Sequence, residues 1–274
     1  MDMKQTSVFS FLNETCEKTR KPHCLTKKEQ EGCACLLLFP YFCMACERGA
    51  SLTTITEKEE CMKEYQTYIF DLDGTLISSL EDLTASTNYA LRQAGLPERT
   101  LEEVRTFVGN GVRKLMERAI PDGASHPRFE EIFTTFREHY MLHNLDATRP
   151  YDGIMEMLKE MKRRGKHVAV VSNKFYAATQ ELCQHFFGNY VEVAIGEREG
   201  IRKKPAPDTV IEAFRQLGVS RENAVYIGDS DVDIATARNS GLPCISVLWG
   251  FRDRDFLLEH GATTFAEKPS DILS

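Results

Sequence analysis

Two aspartates one residue apart follow a short apolar run in the stretch "YIFDLDGTLISS" (68–79). Asp71 and Asp73 repel each other there, and burial at the end of a strand penalises both anions. Because such a pair is expected to lower stability, a catalytic role explains it better than a structural role. An ionised carboxylate can act as a nucleophile, and a neighbouring carboxyl can donate and then accept a proton.

Three further polar clusters lie later in the chain. Ser172 and Asn173 lie in "SNK", Lys204 lies in "KKPAPD", and Asp229 and Asp233 lie in "GDSDVD". The carboxylates need a positive counter-charge, and Mg²⁺ binds carboxylates together with phosphate and water. A hydroxyl, an amide and an ammonium are phosphate-binding groups. Together these residues predict a site for a phosphate group bridged to a metal ion.

In such a site the residues of "DLDGT" take different roles. Asp71 has a reference pKa of about 3.9, so it is expected to be ionised without a helper base and to attack phosphorus. Asp73 can protonate the departing alcohol and then deprotonate the water that hydrolyses the aspartyl-phosphate, and nearby anions favour its protonated form. Gly74 lets the chain turn, and the backbone N–H groups at Gly74 and Thr75 can face the phosphate.

The elements that must position these residues follow from the apolar pattern. Short apolar runs alternate with helical periodicity from Thr67 onward. Strands are predicted at "TYIFDL" (67–72), "HVAVVS" (167–172), "VEVAI" (191–195), "AVYIGD" (224–229) and "CISVL" (244–248). This alternation predicts a parallel sheet covered by helices. The polar clusters follow strand ends, so they are expected to meet at one edge of the sheet.

Between the first two strands, residues 79–148 contain only helical patterns and loops. Thr100 and Glu103 form a capping-box pattern ahead of one helix. The glycine break "VGNG" (108–111) precedes another. This stretch therefore predicts an all-helical insertion.

The four motifs, in this order, resemble those of the haloacid dehalogenase superfamily of phosphatases. The sequence "DLDGT" (71–75) is similar to the first motif, Ser172-Asn173 to the second, Lys204 to the third and "GDSDVD" (228–233) to the fourth. The resemblance covers residues 66–274. It implies an α/β fold with a Rossmann-like parallel sheet core (62–78 and 149–274) and an inserted all-helical cap (79–148) that closes over the substrate.

The resemblance also implies a ligand set for Mg²⁺. Asp71, Asp229 and the backbone carbonyl of Asp73 would hold the ion, and Asp233 would support them from behind. Gly74, Thr75, Ser172, Asn173 and Lys204 are the implied substrate-binding residues in the core.

Four segments resemble the phosphoglycolate phosphatase group more narrowly. They are "FVGNGVRKLMERAI" (107–120), "KPAPD" (204–208), "GDSDVDIATARNSG" (228–241) and "WGFRDRDFLLEHGA" (249–262). This resemblance implies 2-phosphoglycolate as the substrate, and Arg113 is the cap residue expected to meet its carboxylate. One departure is Ser78-Ser79, where many relatives carry Asp-Ser.

Other functions stay open from the sequence. An inorganic pyrophosphatase or another sugar-phosphate phosphatase could use the same fold. A different class would be a Cys-rich, metal-binding interaction protein on a phosphatase scaffold, although a scaffold has no reason to keep the Asp71–Asp73 pair.

The net charge of the chain argues against some classes of binding partner. The chain has 274 residues and a formal net charge of −7. It lacks the broad positive field that nucleic acid or anionic membranes favour. We therefore expect a small phosphorylated metabolite as the partner, a monomer or homodimer, and a cytoplasmic location.

The first 61 residues differ from the rest of the chain. They hold seven of the nine cysteines, at positions 16, 24, 33, 35, 43, 46 and 61. The spacing of Cys33, Cys35, Cys43 and Cys46 matches a zinc site only weakly. We expect this Cys-rich extension to be either poorly ordered or absent from the natural mature chain, with the functional protein beginning near Met62.

Overall fold

The computed structural model describes residues 64–273. The strands are β1 (Thr67–Phe70), β2 (Ile77–Ser78), β3 (Arg149–Pro150), β4 (His167–Phe175), β5 (Val193–Glu197), β6 (Ala224–Gly228), β7 (Cys244–Val247) and β8 (Phe265–Ala266). The α-helices are α1 (Leu80–Gln93), α2 (Leu101–Phe107), α3 (Val112–Ala119), α4 (Phe129–His143), α5 (Ile154–Arg163), α6 (Tyr176–Phe187), α7 (Asp208–Leu217), α8 (Asp231–Ser240) and α9 (Arg254–Glu259). The Cys-rich extension and its weak zinc pattern lie outside the described residues.

Six strands form one parallel sheet in the order β5-β4-β1-β6-β7-β8. This confirms the predicted α/β fold. The central strand β1 is buried along its whole length, because apolar clusters cover both faces of the sheet. Burial on both faces explains why the strands appear in the sequence as continuous apolar runs.

The register of the central strands brings the polar clusters together. Phe70 at the end of β1 lies beside Val170 of β4 and Ile227 of β6. The residues that follow these positions therefore share one edge of the sheet. Strand β4 continues to Phe175, three residues beyond the predicted end, with a register shift after Val171.

Helices α1–α4 form a helical unit around a second apolar cluster, which includes Leu83, Val104, Met116 and Phe136. The chain enters and leaves this unit through β2 and β3, which pair antiparallel. The buried carboxylate of Asp82 accepts hydrogen bonds from the backbone N–H groups at 147 and 148, which ties the second connection to α1.

Two local features of residues 64–273 complete the description. The capping box predicted at Thr100 and Glu103 is confirmed at the start of α2. None of the helices in this range has both the length and the apolar character needed to cross a membrane.

Candidate active site

The turn after β1 brings the first aspartate into a buried cluster. Asp71 is almost fully buried, and the next residues turn sharply at Gly74, which has a φ of 85°. A Cβ atom at Gly74 would lie 2.3 Å from Oδ2 of Asp229. Glycine is therefore required both by the left-handed backbone and by the close approach of the second carboxylate.

The backbone amides of Gly74 and Thr75 are hydrogen-bonded within this turn rather than free for a phosphate. The N–H of Gly74 donates to the Ile77 carbonyl, and the N–H of Thr75 donates to the Leu72 carbonyl. The Thr75 hydroxyl is buried. Within residues 64–273, the amides of Leu72 and Asp73 have no acceptor. They are therefore the N–H groups left for an anion.

Lys204 is held directly against the first aspartate. Its Nζ lies 2.7 Å from Oδ1 of Asp71, 2.8 Å from Oδ1 of Asp233 and 3.1 Å from the Tyr226 hydroxyl. Burial opposes the charge of Lys204, but Asp233 and Asp71 outweigh it and raise the lysine pKa above its ordinary value. The side chain is therefore a permanent ammonium beside the carboxylate predicted to be the nucleophile.

Asn173 positions Lys204. Its Oδ1 accepts the backbone N–H of Lys204 at 2.8 Å, and its Nδ2 donates to the Lys204 carbonyl at 3.0 Å. The side-chain amide is occupied by these bonds, so the phosphate contact predicted for Asn173 is not the role that its contacts support. The neighbouring Ser172 borders the cavity, and its Oγ accepts the Lys174 N–H.

Two further aspartates follow β6 and have different surroundings. Asp229 accepts the Phe251 N–H through Oδ2 at 2.7 Å, and burial, followed by the charge of Asp233, raises its pKa to about 7. Both oxygens of Asp233 are already hydrogen-bonded, one by Lys204 and Tyr226 and the other by Ser230. Asp233 can therefore support a metal site from behind but has little room to bind an ion itself.

The carboxylate cluster fits a hard divalent cation. Asp71, Asp229 and Asp233 each have an oxygen within 4.8 Å of the others'. Together with Lys204 they leave two uncompensated negative charges in a buried site. Burial and the charge of Asp233 raise the pKa of Asp71 well above its ordinary value. A divalent cation such as Mg²⁺ beside Asp71 would offset the negative charge that burial penalises.

Asp73 contacts a lysine that the sequence analysis did not single out. The buried Nζ of Lys174 lies 2.7 and 2.9 Å from the two carboxylate oxygens of Asp73, and Ser79 Oγ also donates to this carboxylate. These partners are an ammonium and a hydroxyl, rather than the anions expected beside Asp73. The backbone carbonyl of Asp73 accepts no hydrogen bond in the described part of the chain, so it remains available to a metal ion.

Arg113 is not brought to this cluster. Its guanidinium pairs with Glu130 and lies 4.9 Å from the ring centre of Phe129. It lines a separate surface depression together with Phe133, Arg198 and Lys203. The predicted contact between Arg113 and a substrate carboxylate is therefore not supported by this geometry.

The cluster opens into a small cavity roofed by the helical unit. Val108, Gly109, Val112 and Leu115 form the roof. Phe251 and Arg252 border the cavity from the core. Its volume is about 40 Å³, enough for about three water molecules. A cavity of this volume therefore favours a small group on a bound phosphate when the helical unit is in this position.

Comparison with a family model gives an independent description. Residues 68–247 match the model of haloacid dehalogenase-like hydrolases. The matched segment contains all four aspartates and Lys204.

Individual proteins also have sequences similar to this chain. The chain is 33% identical to the phosphoglycolate phosphatase of Aquifex aeolicus, over 67% of this chain and 84% of that protein. It is 32% identical to phosphoglycolate phosphatase 1 of Pseudomonas aeruginosa, over 75% of this chain and 77% of the relative.

Among solved structures, a protein from Lactobacillus delbrueckii subsp. bulgaricus is similar with a TM-score of 0.73 and 36% identity, over 77% of this chain and 97% of that protein. CbbY from Rhodobacter sphaeroides, in complex with phosphate, is similar with a TM-score of 0.61 and 25% identity, over 76% of this chain and 96% of that protein.

Proposed function

The chain belongs to the haloacid dehalogenase-like hydrolase family, and from this premise we propose that its carboxylate cluster is the active site of a magnesium-dependent phosphatase. The substrate would be a small phosphate monoester, and 2-phosphoglycolate is the candidate that we favour. The observation that carries the proposal is the 2.7 Å contact between Asp71 and Lys204 in a cavity that also contains Asp229.

Asp71 is the proposed nucleophile. Its Oδ1 is held by Lys204, and its Oδ2 has no hydrogen-bond partner among residues 64–273. This free oxygen attacks phosphorus, and the bond from phosphorus to the leaving oxygen breaks as the aspartyl-phosphate forms. Lys204 and the amides of Leu72 and Asp73 stabilise the negative charge of the transferring group.

Mg²⁺ would be held by Asp71, Asp229 and the Asp73 carbonyl, and when bound it offsets the charge of the carboxylates and of the phosphoryl group. Asp229 is already oriented for this role by the Phe251 N–H. Asp233 contributes indirectly, because it fixes Lys204 at 2.8 Å. The ion is thus proposed on oxygen ligands alone, which is the donor set that Mg²⁺ prefers.

Asp73 is the proposed acid and base. It borders the same cavity as Asp71. It enters the first step in its protonated form and gives this proton to the leaving oxygen. The carboxylate that results later takes a proton from the water that attacks the aspartyl-phosphate, which restores the protonated form. Ser79 and Lys174 hold its carboxylate in one orientation, which reduces the reorganisation needed for either transfer.

The choice of 2-phosphoglycolate rests on size and on relatives. The cavity of about 40 Å³ favours a leaving group of a few atoms over a sugar. The curated relatives from Aquifex aeolicus and Pseudomonas aeruginosa carry the name phosphoglycolate phosphatase. Residues 79–148 would act as a cap that opens to admit this substrate and closes to exclude water. The cap boundaries at residues 79 and 148 are a prediction. The oligomeric state and a cytoplasmic location are also predictions.

A substrate panel tests the proposal. Purified protein is assayed with Mg²⁺ on 2-phosphoglycolate, pyrophosphate, a hexose phosphate and a nucleotide, and kcat/KM is compared. We expect 2-phosphoglycolate to exceed the others by about tenfold or more. Asp71→Asn, purified in parallel, controls for contaminating phosphatases. A higher kcat/KM for pyrophosphate or the hexose phosphate would refute the substrate assignment.

A further inference from the structure

The loop after β7 contacts both halves of the catalytic cluster. The indole N–H of Trp249 donates to the Thr75 carbonyl at 2.9 Å, next to the turn that carries the nucleophile. The Phe251 N–H donates to Asp229 at 2.7 Å. A Cβ atom at Gly250 would lie 2.3 Å from the Cβ of Asp229. The 249–252 segment is therefore packed directly against the proposed metal ligand.

The helical unit holds this same segment through two arginines. Arg105 on α2 donates to the carbonyls of Gly250 and Phe251, at 2.8 and 2.9 Å. In return, Arg252 donates to the carbonyls of Arg105 and Val108 in the helical unit, both at 2.9 Å. We call these reciprocal contacts of Arg105 and Arg252 the arginine clasp.

Both arginines of the clasp bind backbone carbonyls rather than carboxylates. Neither guanidinium forms an ion pair with a carboxylate anywhere in residues 64–273; both bind backbone carbonyls across the gap between the helical unit and the core. A planar guanidinium can bind two carbonyls in a fixed geometry, which a lysine ammonium does not reproduce. Arg105 and Arg252 are therefore suited to setting the position of one unit on the other.

One peptide group connects the arginine clasp to Asp229. The Gly250 carbonyl and the Phe251 N–H belong to the same planar peptide unit. Arg105 donates to the oxygen of this unit, while its N–H donates to Asp229. A cation at the carbonyl polarises the peptide and strengthens the hydrogen bond that its N–H makes. Arg105 of the helical unit is thus linked to the Asp229 carboxylate by two hydrogen bonds in series.

We propose that Arg105 and Arg252 are positioning residues that couple closure of the helical unit to the orientation of Asp229 for Mg²⁺. This inference rests on the proposed function, because it assigns Asp229 to the metal. The closed state, with the clasp made, holds Asp229 through the peptide. Opening breaks both halves of the clasp and loosens that carboxylate, so metal affinity and closure rise and fall together.

The proposal is tested on Mg²⁺ binding without substrate. Mg²⁺ is titrated into the wild type, Arg105→Ala, Arg105→Lys and Arg252→Ala, with affinity measured by calorimetry. The fluorescence of Trp249, the only tryptophan of the chain, gives a second readout beside Asp229. Arg92→Ala is the matched control, because among residues 64–273 this arginine of the helical unit forms an ion pair only with the exposed Glu98.

We expect Arg105→Ala and Arg252→Ala each to weaken Mg²⁺ binding by about tenfold, the effect of losing hydrogen bonds from a charged group. Arg105→Lys should recover only part of this loss, and Arg92→Ala should bind Mg²⁺ as the wild type does. The Mg²⁺ concentration that half-saturates hydrolysis should rise by the same factor. Circular dichroism melts establish that each variant is folded, and Arg252→Ala tests the clasp independently if Arg105→Ala does not fold.

Mg²⁺ affinity equal to that of the wild type in the folded Arg105→Ala and Arg252→Ala variants would overturn the coupling. Full recovery by lysine would also count against it, because a point charge would then suffice. If the wild type hydrolyses none of the phosphate esters, the proposed function fails. The calorimetric comparison still decides separately whether the arginine clasp controls metal binding.

Discussion

Replacing Lys204 by methionine isolates the contribution of one buried charge. The ammonium lies within 2.8 Å of both Asp71 and Asp233 and is only 3% exposed. Lys204→Met keeps most of the side-chain volume but leaves the two carboxylates without their cation. Removing one partner of a buried ion pair typically costs about 3–5 kcal/mol in the free energy of unfolding.

This loss should appear in thermal melts. At about 2–4 °C per kcal/mol for a chain of this size, the melting temperature should fall by roughly 10 °C in a metal-free buffer. Added Mg²⁺ should recover part of the difference, because a cation bound to Asp71 replaces some of the missing charge. Hydrolysis should fall by at least about 100-fold, since the charge beside the nucleophile is lost.

The neighbouring residue supplies the control. Lys203 is 44% exposed and lies 4.0 Å from Glu197, so Lys203→Met should change the melting temperature by less than about 2 °C. Circular dichroism melts with EDTA or Mg²⁺ and steady-state kinetics measure all three proteins. If Lys204→Met has the same melting temperature as Lys203→Met and retains wild-type kcat, Lys204 is not the charge partner of the nucleophile.

Three further substitutions test separate parts of the site. Asp73→Asn should lower kcat by about 10²–10⁴-fold by removing the acid and base; near-wild-type kcat would remove Asp73 from that role. Arg113→Ala should change KM equally for 2-phosphoglycolate and p-nitrophenyl phosphate, because this arginine pairs with Glu130; a selective rise for 2-phosphoglycolate would restore its predicted carboxylate contact. Gly74→Ala should lower kcat by about 100-fold, because its Cβ would lie 2.3 Å from Asp229 Oδ2 and must displace this carboxylate; full activity would contradict the need for Asp229 in this position.

The fold and the meeting of the four motifs could be predicted because both depend on chain order. Parallel strands have their carboxyl ends at one edge, so residues after β1, β4 and β6 must approach each other whatever their side chains do. The strand end at Ser172 was placed too early, because the apolar pattern stops there while the backbone pairing continues to Phe175. Lys174, which follows Ser172-Asn173, was overlooked for the same reason.

The remaining differences between prediction and structure come from contacts that the residue types do not specify. An amide such as Asn173 can bind phosphate or backbone, and only the structure reveals that it brackets Lys204. The resemblance of the 107–120 segment predicts a substrate contact for Arg113, whereas its guanidinium pairs with Glu130. Arg105 and Arg252 bind carbonyl groups, which every residue has, so no sequence pattern marks them.

The raised pKa of Asp71 could not be predicted from the sequence either. Its reference pKa ignores burial, and burial together with Asp233 raises the pKa of this carboxyl. How deeply a residue lies after a strand cannot be read from the apolar pattern. The raised pKa of Asp71 therefore becomes apparent only with the structure.

The central claim is that Asp71 receives the phosphoryl group, and trapping the intermediate tests it most directly. Asp73→Asn is mixed with Mg²⁺ and 2-phosphoglycolate, quenched in acid and digested, and the peptides are analysed by mass spectrometry. We predict a phosphoryl adduct on Asp71, absent when Asp71→Asn is combined with Asp73→Asn. Magnesium-dependent hydrolysis that persists in Asp71→Asn, with no adduct on this residue in the trapped protein, would contradict the account.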